Sequence, residues 1–144
     1  MERTLKNAIE RYELDKYIRM HGFVPREKVT ELFKNATILI APYIVTDQGG
    51  RDGIPTSMLE AMAMSVVPIT TDAGAIPELI ENDVNGIIVP QRNSRAIADS
   101  VERMIKDREY FMQLRERTRH KIEVEYNSEV VNRVLEDKIR EFII

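Results

Sequence analysis

The sequence has 144 residues, of which 43% are hydrophobic and 31% charged, with 24 acidic and 21 basic side chains and no cysteine. This length suits one domain, residues 1–144, with a hydrophobic core, and it is short for two domains. A formal charge of −3 provides no bulk positive field for nucleic acid or an anionic membrane, and the lack of cysteine excludes disulfides and thiolate metal sites.

The first elements alternate helical spacing with short apolar runs. Residues 2–13 are predicted to form an amphipathic helix, residues 17–24 a short strand that ends in a loop, and residues 25–35 a second helix. Residues 37–41 form a continuous apolar run that Pro42 closes, which is typical of a strand covered on both faces. Strands that alternate with helices predict a parallel sheet.

A glycine-rich loop over residues 49–53 then leads into a third helix. Pro55 suits its first helical position, because the fixed φ of proline fits there and its missing N–H is no loss. The backbone N–H groups around Ile54, Thr56 and Ser57 are predicted to point unpaired out of the helix start. Together with the helix dipole, they favour an anion at this point.

Glu60 lies at the centre of the polar arc of the third helix, one turn after Thr56. Its carboxylate is therefore placed to accept hydrogen bonds from hydroxyls of a ligand whose charged end lies at the helix start. The same spacing also fits a solvated glutamate on a surface helix.

The second half of the chain continues the alternation. Residues 66–71 and 87–89 are predicted strands, and Pro68 is expected near a strand start, an edge or a bulge because it cannot donate to a ladder. Ser94 is the predicted N-cap of the next helix, a further helix follows, and Ser128 opens the last one. The predicted fold is α/β, a Rossmann-like parallel sheet with helices on both faces and the C-terminal helices packed on one side. Ligands of such sheets bind beyond the carboxyl ends of the strands.

Several motifs in this order resemble the donor-binding half of the family-4 retaining glycosyltransferases, which have the GT-B fold. An acid, seven intervening residues and a glutamate are followed by an apolar strand, a turn and a second apolar strand. The pieces in this sequence are Asp52 and Glu60, Ala61-Met62-Ala63, Gly74-Ala75-Ile76-Pro77-Glu78 and the run from Asn85 to Pro90. The first acid of the family is usually glutamate, so Asp52 is one methylene shorter.

The resemblance implies a nucleotide-diphosphate sugar as the donor and retention of the anomeric configuration. Glu60 would hold the ribose hydroxyls, and Asp52 would hold a hydroxyl of the transferred sugar; these two are the catalytic candidates. Arg51 would contact a phosphate or the acceptor, although a solvated loop arginine is an equal alternative. The remaining implied substrate-binding residues are Gly53, Ile54, Pro55, Thr56 and Ser57 for the sugar and diphosphate, and Gly22, Phe23 and Val24 for the base.

The resemblance begins after the first βαβ unit of the family's donor-binding domain, whose Arg and Lys neutralise the diphosphate, and after the whole N-terminal acceptor domain. We therefore expect the tail of a longer enzyme or a truncated reading frame, inactive by itself, whose missing acceptor domain lies upstream or on a partner chain. We also expect either direct pairing of the strands over residues 18–23 and 37–41 or a homodimer across the exposed sheet edge.

Two functions follow: a catalytic fragment of a retaining glycosyltransferase, or a non-catalytic module of the same fold that binds a nucleotide or another subunit. An in-frame Gly-Arg…Lys segment in the upstream DNA would favour the first. We expect no metal site, because the two histidines are far apart in the sequence. We also expect no cofactor. The absence of a signal-peptide pattern and of an 18-residue apolar span predicts a cytoplasmic location without a membrane span.

Overall fold

A computed structural model of the chain describes residues 2–45 and 53–143. Its elements, in chain order, are α1 (Glu2–Arg11), α2 (Arg26–Asn35), β1 (Ile38–Ala41), α3 (Thr56–Ala63), β2 (Val67–Thr71), α4 (Ile76–Leu79), β3 (Ile87–Val89), α5 (Ser94–Lys106), α6 (Arg108–Lys121), a π-helical segment (Ile122–Tyr126) and α7 (Ser128–Ile143).

The three strands form a parallel sheet in the order β1-β2-β3. In the register of the sheet, Ile38 lies opposite Val67, and Ile69 lies opposite both Ile40 and Ile87. All five residues of β2 are buried, which explains why the central strand is a continuous apolar and threonine run. The predicted α/β class with a parallel sheet is confirmed.

Both faces of the sheet are covered. On one face, α3 and α4 contribute Met58, Met62, Ile76 and Leu79 to a buried cluster. On the other face, α5 and α6 pack against the strands; the buried members of this second cluster are Val67, Ile69, Ile87, Val89, Met104 and Leu114. Helices therefore lie on both faces, as predicted.

After α6, the chain returns to the face of the sheet that α3 covers. Ile122 and Tyr126 of the π-helical segment pack against the cluster that holds Met58 and Met62. The final helix, α7, packs against the π-helical segment and has no buried residue. Within residues 2–45 and 53–143, none of the helices is long and apolar enough to cross a lipid bilayer.

The strand predicted over residues 17–24 is wrong. This segment consists of turns and irregular backbone, and Gly22 takes a left-handed conformation with φ 63°. A strand exists only where a ladder partner exists, and among the described residues β1 pairs with β2 alone. The expected direct pairing of residues 18–23 with β1 is therefore wrong as well, and the homodimer stays a prediction.

Two helix starts also differ from the sequence-based expectations. Pro55 is the N-cap of α3 and not its first helical residue, because its ψ of 125° is extended. The N-cap of α5 is Asn93 and not Ser94, since the Asn93 side chain accepts a hydrogen bond from the backbone N–H of Ala96 at 3.0 Å.

Candidate functional site

A cavity of about 290 Å³ lies at the carboxyl ends of β1 and β2. Parallel sheets bind ligands at this edge, because the loops that follow successive strands meet there. The described residues that line it are Tyr43, Ile44, Val45, Gly53, Pro55, Ala73, Gly74 and Ile76. The cavity therefore combines apolar side chains with exposed backbone at the start of α3, a composition that suits one part of a larger ligand.

Two buried threonines of β2 fix the chain that leaves β1. The hydroxyl of Thr70 donates to the backbone carbonyl of Ala41 at 2.9 Å, and the hydroxyl of Thr71 donates to the carbonyl of Tyr43 at 2.6 Å. Because both hydroxyls are buried, these bonds are not exchanged for bonds to water. The cavity wall at Tyr43 is therefore anchored to the central strand.

A second pair of side chains holds the next residues of the same wall. The Gln91 amide accepts a hydrogen bond from the backbone N–H of Val45 at 2.9 Å and donates to the Asp72 carboxylate at 3.0 Å. Asp72, which follows β2, and Gln91, which follows β3, thus hold Val45 in place after β1. Gln91 belongs to no motif, so the sequence did not predict its role in this wall.

The start of α3 lies beside the cavity, which Gly53 and Pro55 line. Proline has no side-chain acceptor to cap a helix, and the Pro55 carbonyl accepts from the N–H groups of Met58 and Leu59 at 3.0 and 3.4 Å. The N–H groups of Thr56 and Ser57 come too early in the helix for i→i−4 bonds, and both residues are exposed. Gly53, Ile54, Pro55, Thr56 and Ser57 are thus brought together at one helix terminus.

Glu60 lies one turn further along α3 with its side chain 30% exposed. Its Oε1 accepts a hydrogen bond from Nη2 of Arg26, the first residue of α2, at 2.8 Å. Glu60 is therefore not simply a solvated surface glutamate. Arg26 was not predicted as a partner of Glu60, because no periodicity relates the start of α2 to the middle of α3.

The loop at residues 22–24, which the resemblance assigns to the base, is separated from Arg26 by Pro25 alone. Gly22 has left-handed φ, Phe23 is fully exposed and Val24 is half-buried. The Arg26–Glu60 ion pair brings this loop and the polar side of α3 together, which the sequence alone did not show. Arg51 and Asp52 lie outside the described residues. Across residues 2–45 and 53–143, no three His, Asp or Glu side chains are grouped to bind a metal ion.

The parallel sheet with helices on both faces and a cavity at its carboxyl edge define a Rossmann-like α/β domain. The chain belongs to the family described as Glycosyl transferases group 1, whose profile matches residues 1–121. The resemblance found in the sequence is therefore confirmed.

Two curated relatives match almost the whole chain. WcaL of Escherichia coli strain K12, provisionally named a colanic acid biosynthesis glycosyltransferase, is 33% identical over 135 residues, which are 93% of this chain and 33% of the relative. The amylovoran biosynthesis glycosyltransferase AmsK of Erwinia amylovora is 30% identical over 135 residues, 94% of this chain and 33% of the relative. The chain spans about a third of the length of these relatives.

Solved structures share the fold. The C-terminal domain of LpcC, a glycosyl transferase group 1 family protein from Francisella tularensis, superposes with a TM-score of 0.75 at 26% identity, over 88% of this chain and 63% of that chain. Anabaena HepE in complex with UDP superposes with a TM-score of 0.80 at 18% identity, over 96% of this chain and 36% of that chain. The chain thus has the fold of the C-terminal domains of GT-B glycosyltransferases.

Proposed function

We propose that the chain is the donor-binding part of a retaining glycosyltransferase, which transfers a sugar from a nucleotide-diphosphate sugar to an acceptor. The observation that carries the proposal is the arrangement around α3. Its start adjoins the cavity at the carboxyl edge of the sheet, and Glu60 lies one turn further on, paired with Arg26, which follows the loop at residues 22–24 after Pro25. In a nucleotide sugar the charged diphosphate lies between the sugar and the ribose. The cavity, the start of α3 and Glu60 follow one another in the same order.

In the proposed complex, the N–H groups near the start of α3 bind the diphosphate and the cavity takes the sugar. Glu60 accepts hydrogen bonds from the ribose hydroxyls, and residues 22–24 flank the base. Hydrogen bonds to a charged group contribute about 1.5–3 kcal/mol each, so a carboxylate suits vicinal hydroxyls. Asp52 binds a hydroxyl of the transferred sugar, and Arg51 binds a phosphate or the acceptor.

The chemical step in this proposal needs no metal ion or cofactor. When the glycosidic bond to the diphosphate breaks, negative charge develops on the leaving oxygen. Donors already aimed at that oxygen stabilise the charge without moving during the reaction. The open start of α3 supplies such donors through its backbone N–H groups and its dipole.

A relative of this fold supports the choice of ligand class. Anabaena HepE has been solved with UDP and with UDP-glucose, and both complexes superpose on this chain with TM-scores of 0.80 and 0.76. The names of WcaL and AmsK refer to polysaccharide biosynthesis, so we propose a role in glycan biosynthesis. The cytoplasmic location stays a prediction.

The acceptor comes from a second domain in this proposal, because the chain corresponds to about a third of the length of WcaL and AmsK. The isolated chain then binds a sugar donor weakly and transfers nothing. The non-catalytic alternative, which binds a nucleotide or another subunit, stays inactive after the acceptor domain is supplied. A transfer assay on the complete enzyme therefore separates the two functions.

Glu60→Gln tests the binding site. The amide keeps the shape of the side chain but loses the charge, so we expect nucleotide affinity in the complete enzyme to fall at least about tenfold, or 1.4 kcal/mol. Isothermal titration calorimetry with UDP, GDP and ADP measures the change. Glu31→Gln is the matched control, since Glu31 is an exposed glutamate of α2 that pairs with Lys28. Equal affinities for the Glu60→Gln variant and the wild type would refute the assignment.

A further inference from the structure

The ion pair between Arg26 and Glu60 joins the two parts of the proposed nucleotide site. The Arg26 side chain is 80% exposed, whereas the Glu60 side chain is 30% exposed. Exposed ion pairs add little to the stability of a fold. Arg26 begins α2 just after the loop at residues 22–24 and Pro25, and Glu60 lies on the polar side of α3, so the pair links the two segments that are proposed to bind the nucleoside.

Among the residues that the structure describes, one carboxylate oxygen of Glu60 receives no hydrogen bond. Arg26 donates to Oε1 at 2.8 Å, and within the described residues this is the only hydrogen bond of the Glu60 side chain. A carboxylate has two oxygens and about four acceptor positions. Oε2 therefore keeps its capacity to accept from hydroxyls while the guanidinium fixes the direction of the carboxylate.

We propose that Arg26 is a positioning residue that holds Glu60 for the vicinal hydroxyls of a ribose, and that it thereby favours ribonucleotides over 2′-deoxyribonucleotides. The inference rests on the proposed function and adds a residue to it. A glutamate side chain held in its binding conformation loses less freedom when the ligand arrives. The gain in affinity depends on the hydroxyls that this carboxylate binds, so a 2′-deoxy ligand gains less affinity from Arg26.

The test is an NMR titration of the isotope-labelled chain, because this method measures millimolar affinities and shows in the same spectrum that each variant is folded. The probes are UDP, GDP and ADP, each with its 2′-deoxy counterpart. The variants are Arg26→Ala, Glu60→Gln and the double variant. Lys28→Ala is the control. Lys28 lies on the same helix as Arg26, but it pairs with Glu31 and not with Glu60.

We expect the wild type to bind at least one ribonucleotide and to prefer it to its 2′-deoxy form. Arg26→Ala should weaken the ribonucleotide about fivefold and the 2′-deoxy form less, so that the preference shrinks. Lys28→Ala should leave the preference unchanged, and Arg26→Ala should have little effect once Glu60 is already Gln.

Two negative results of the titration would have different meanings. If the wild type binds none of the six diphosphates, the proposed function fails and the inference fails with it. If the wild type binds a ribonucleotide but Arg26→Ala leaves the preference unchanged, or weakens both forms equally, the proposed function stands and the role of Arg26 is refuted.

Discussion

Gly86 lies where the turn before β3 presses against the start of β2. A Cβ at this position would lie 2.7 Å from Cγ of Pro68, 3.1 Å from the Pro68 carbonyl oxygen and 3.1 Å from Cγ2 of Ile80. The Pro68 ring is buried and rigid, so it cannot move away. Pro68 is tolerated here because it is the second residue of β2 and pairing with β3 begins only at Ile69.

We therefore predict that Gly86→Ala lowers the free energy of unfolding by about 1–3 kcal/mol through overpacking. Urea denaturation followed by circular dichroism measures the change. Gly53→Ala is the matched control, because a Cβ at Gly53 meets nothing within 4 Å among the described atoms. Its effect should stay within about 0.5 kcal/mol of the wild type. A Gly86→Ala variant as stable as Gly53→Ala would contradict the close contact.

At the scale of elements, one cluster ties the turn before β3 to both helices on that side of the sheet. Asp83, with a left-handed φ of 61°, accepts from Nη1 of Arg103 in α5 at 2.7 Å and from the hydroxyl of Tyr110 in α6. The Arg103 guanidinium also lies 3.8 Å from the centroid of the Tyr110 ring. Three elements thus meet through one carboxylate.

This cluster predicts a pH dependence of stability. Burial, and then the hydrogen bond to the Asp83 carboxylate, raises the pKa of Tyr110 from 10.0 to about 12. Because the folded state holds the phenolic proton more tightly than the unfolded state, the stabilisation is complete below pH 10 and is lost as the pH rises toward about 12.

Urea denaturation of the wild type and of Tyr110→Phe between pH 8 and pH 12 measures this effect. The wild type should be more stable than the variant at pH 8, and its advantage should shrink above about pH 10. Asp83→Asn removes the negative charge beside the hydroxyl, so its decline over the same range should be smaller. A wild-type advantage that stays constant to pH 12 would rule out the raised pKa.

The elements that the sequence predicted correctly share one physical cause. The apolar runs at 37–41, 66–71 and 87–89 contain the three strands; β2 is fully buried, β3 is mostly buried, and β1 at the edge is half-buried apart from the exposed Ile40. Burial selects apolar side chains, so the composition of these runs indicates the strands. Residues 17–24 failed because their alternation is weak and a strand also needs a partner that local sequence does not reveal. The position of the cavity followed from the rule that ligands bind at the carboxyl edge of a parallel sheet.

The side-chain contacts of the candidate site were not predictable in the same way. Glu60 was found because helical periodicity sorts the residues of α3 into arcs. Arg26 and Gln91 were missed because each contacts a distant segment, and such a contact depends on how two elements pack rather than on any spacing. The fold class thus follows from local patterns, whereas the partners of functional residues follow from tertiary structure.

At the scale of the whole molecule, β1 is an edge strand of the sheet that the described residues form. Within residues 2–45 and 53–143, β1 pairs with β2 on one side and has no ladder partner on the other. The Ile40 residue of this edge strand is 48% exposed. An edge strand with apolar side chains and unpaired backbone groups is a template for pairing with another chain.

We predict that the isolated 144-residue chain self-associates through this edge. Ile40→Lys should shift the chain toward monomer, because a charged side chain on an edge strand opposes pairing with a second strand. Sedimentation velocity over a range of concentrations measures the shift. Val134→Lys is the control, since Val134 lies on α7 and is 51% exposed, close to the exposure of Ile40. If the wild type stays monomeric at high concentration, the prediction is wrong; if Val134→Lys dissociates the chain and Ile40→Lys does not, the contact lies on α7 instead of the β1 edge.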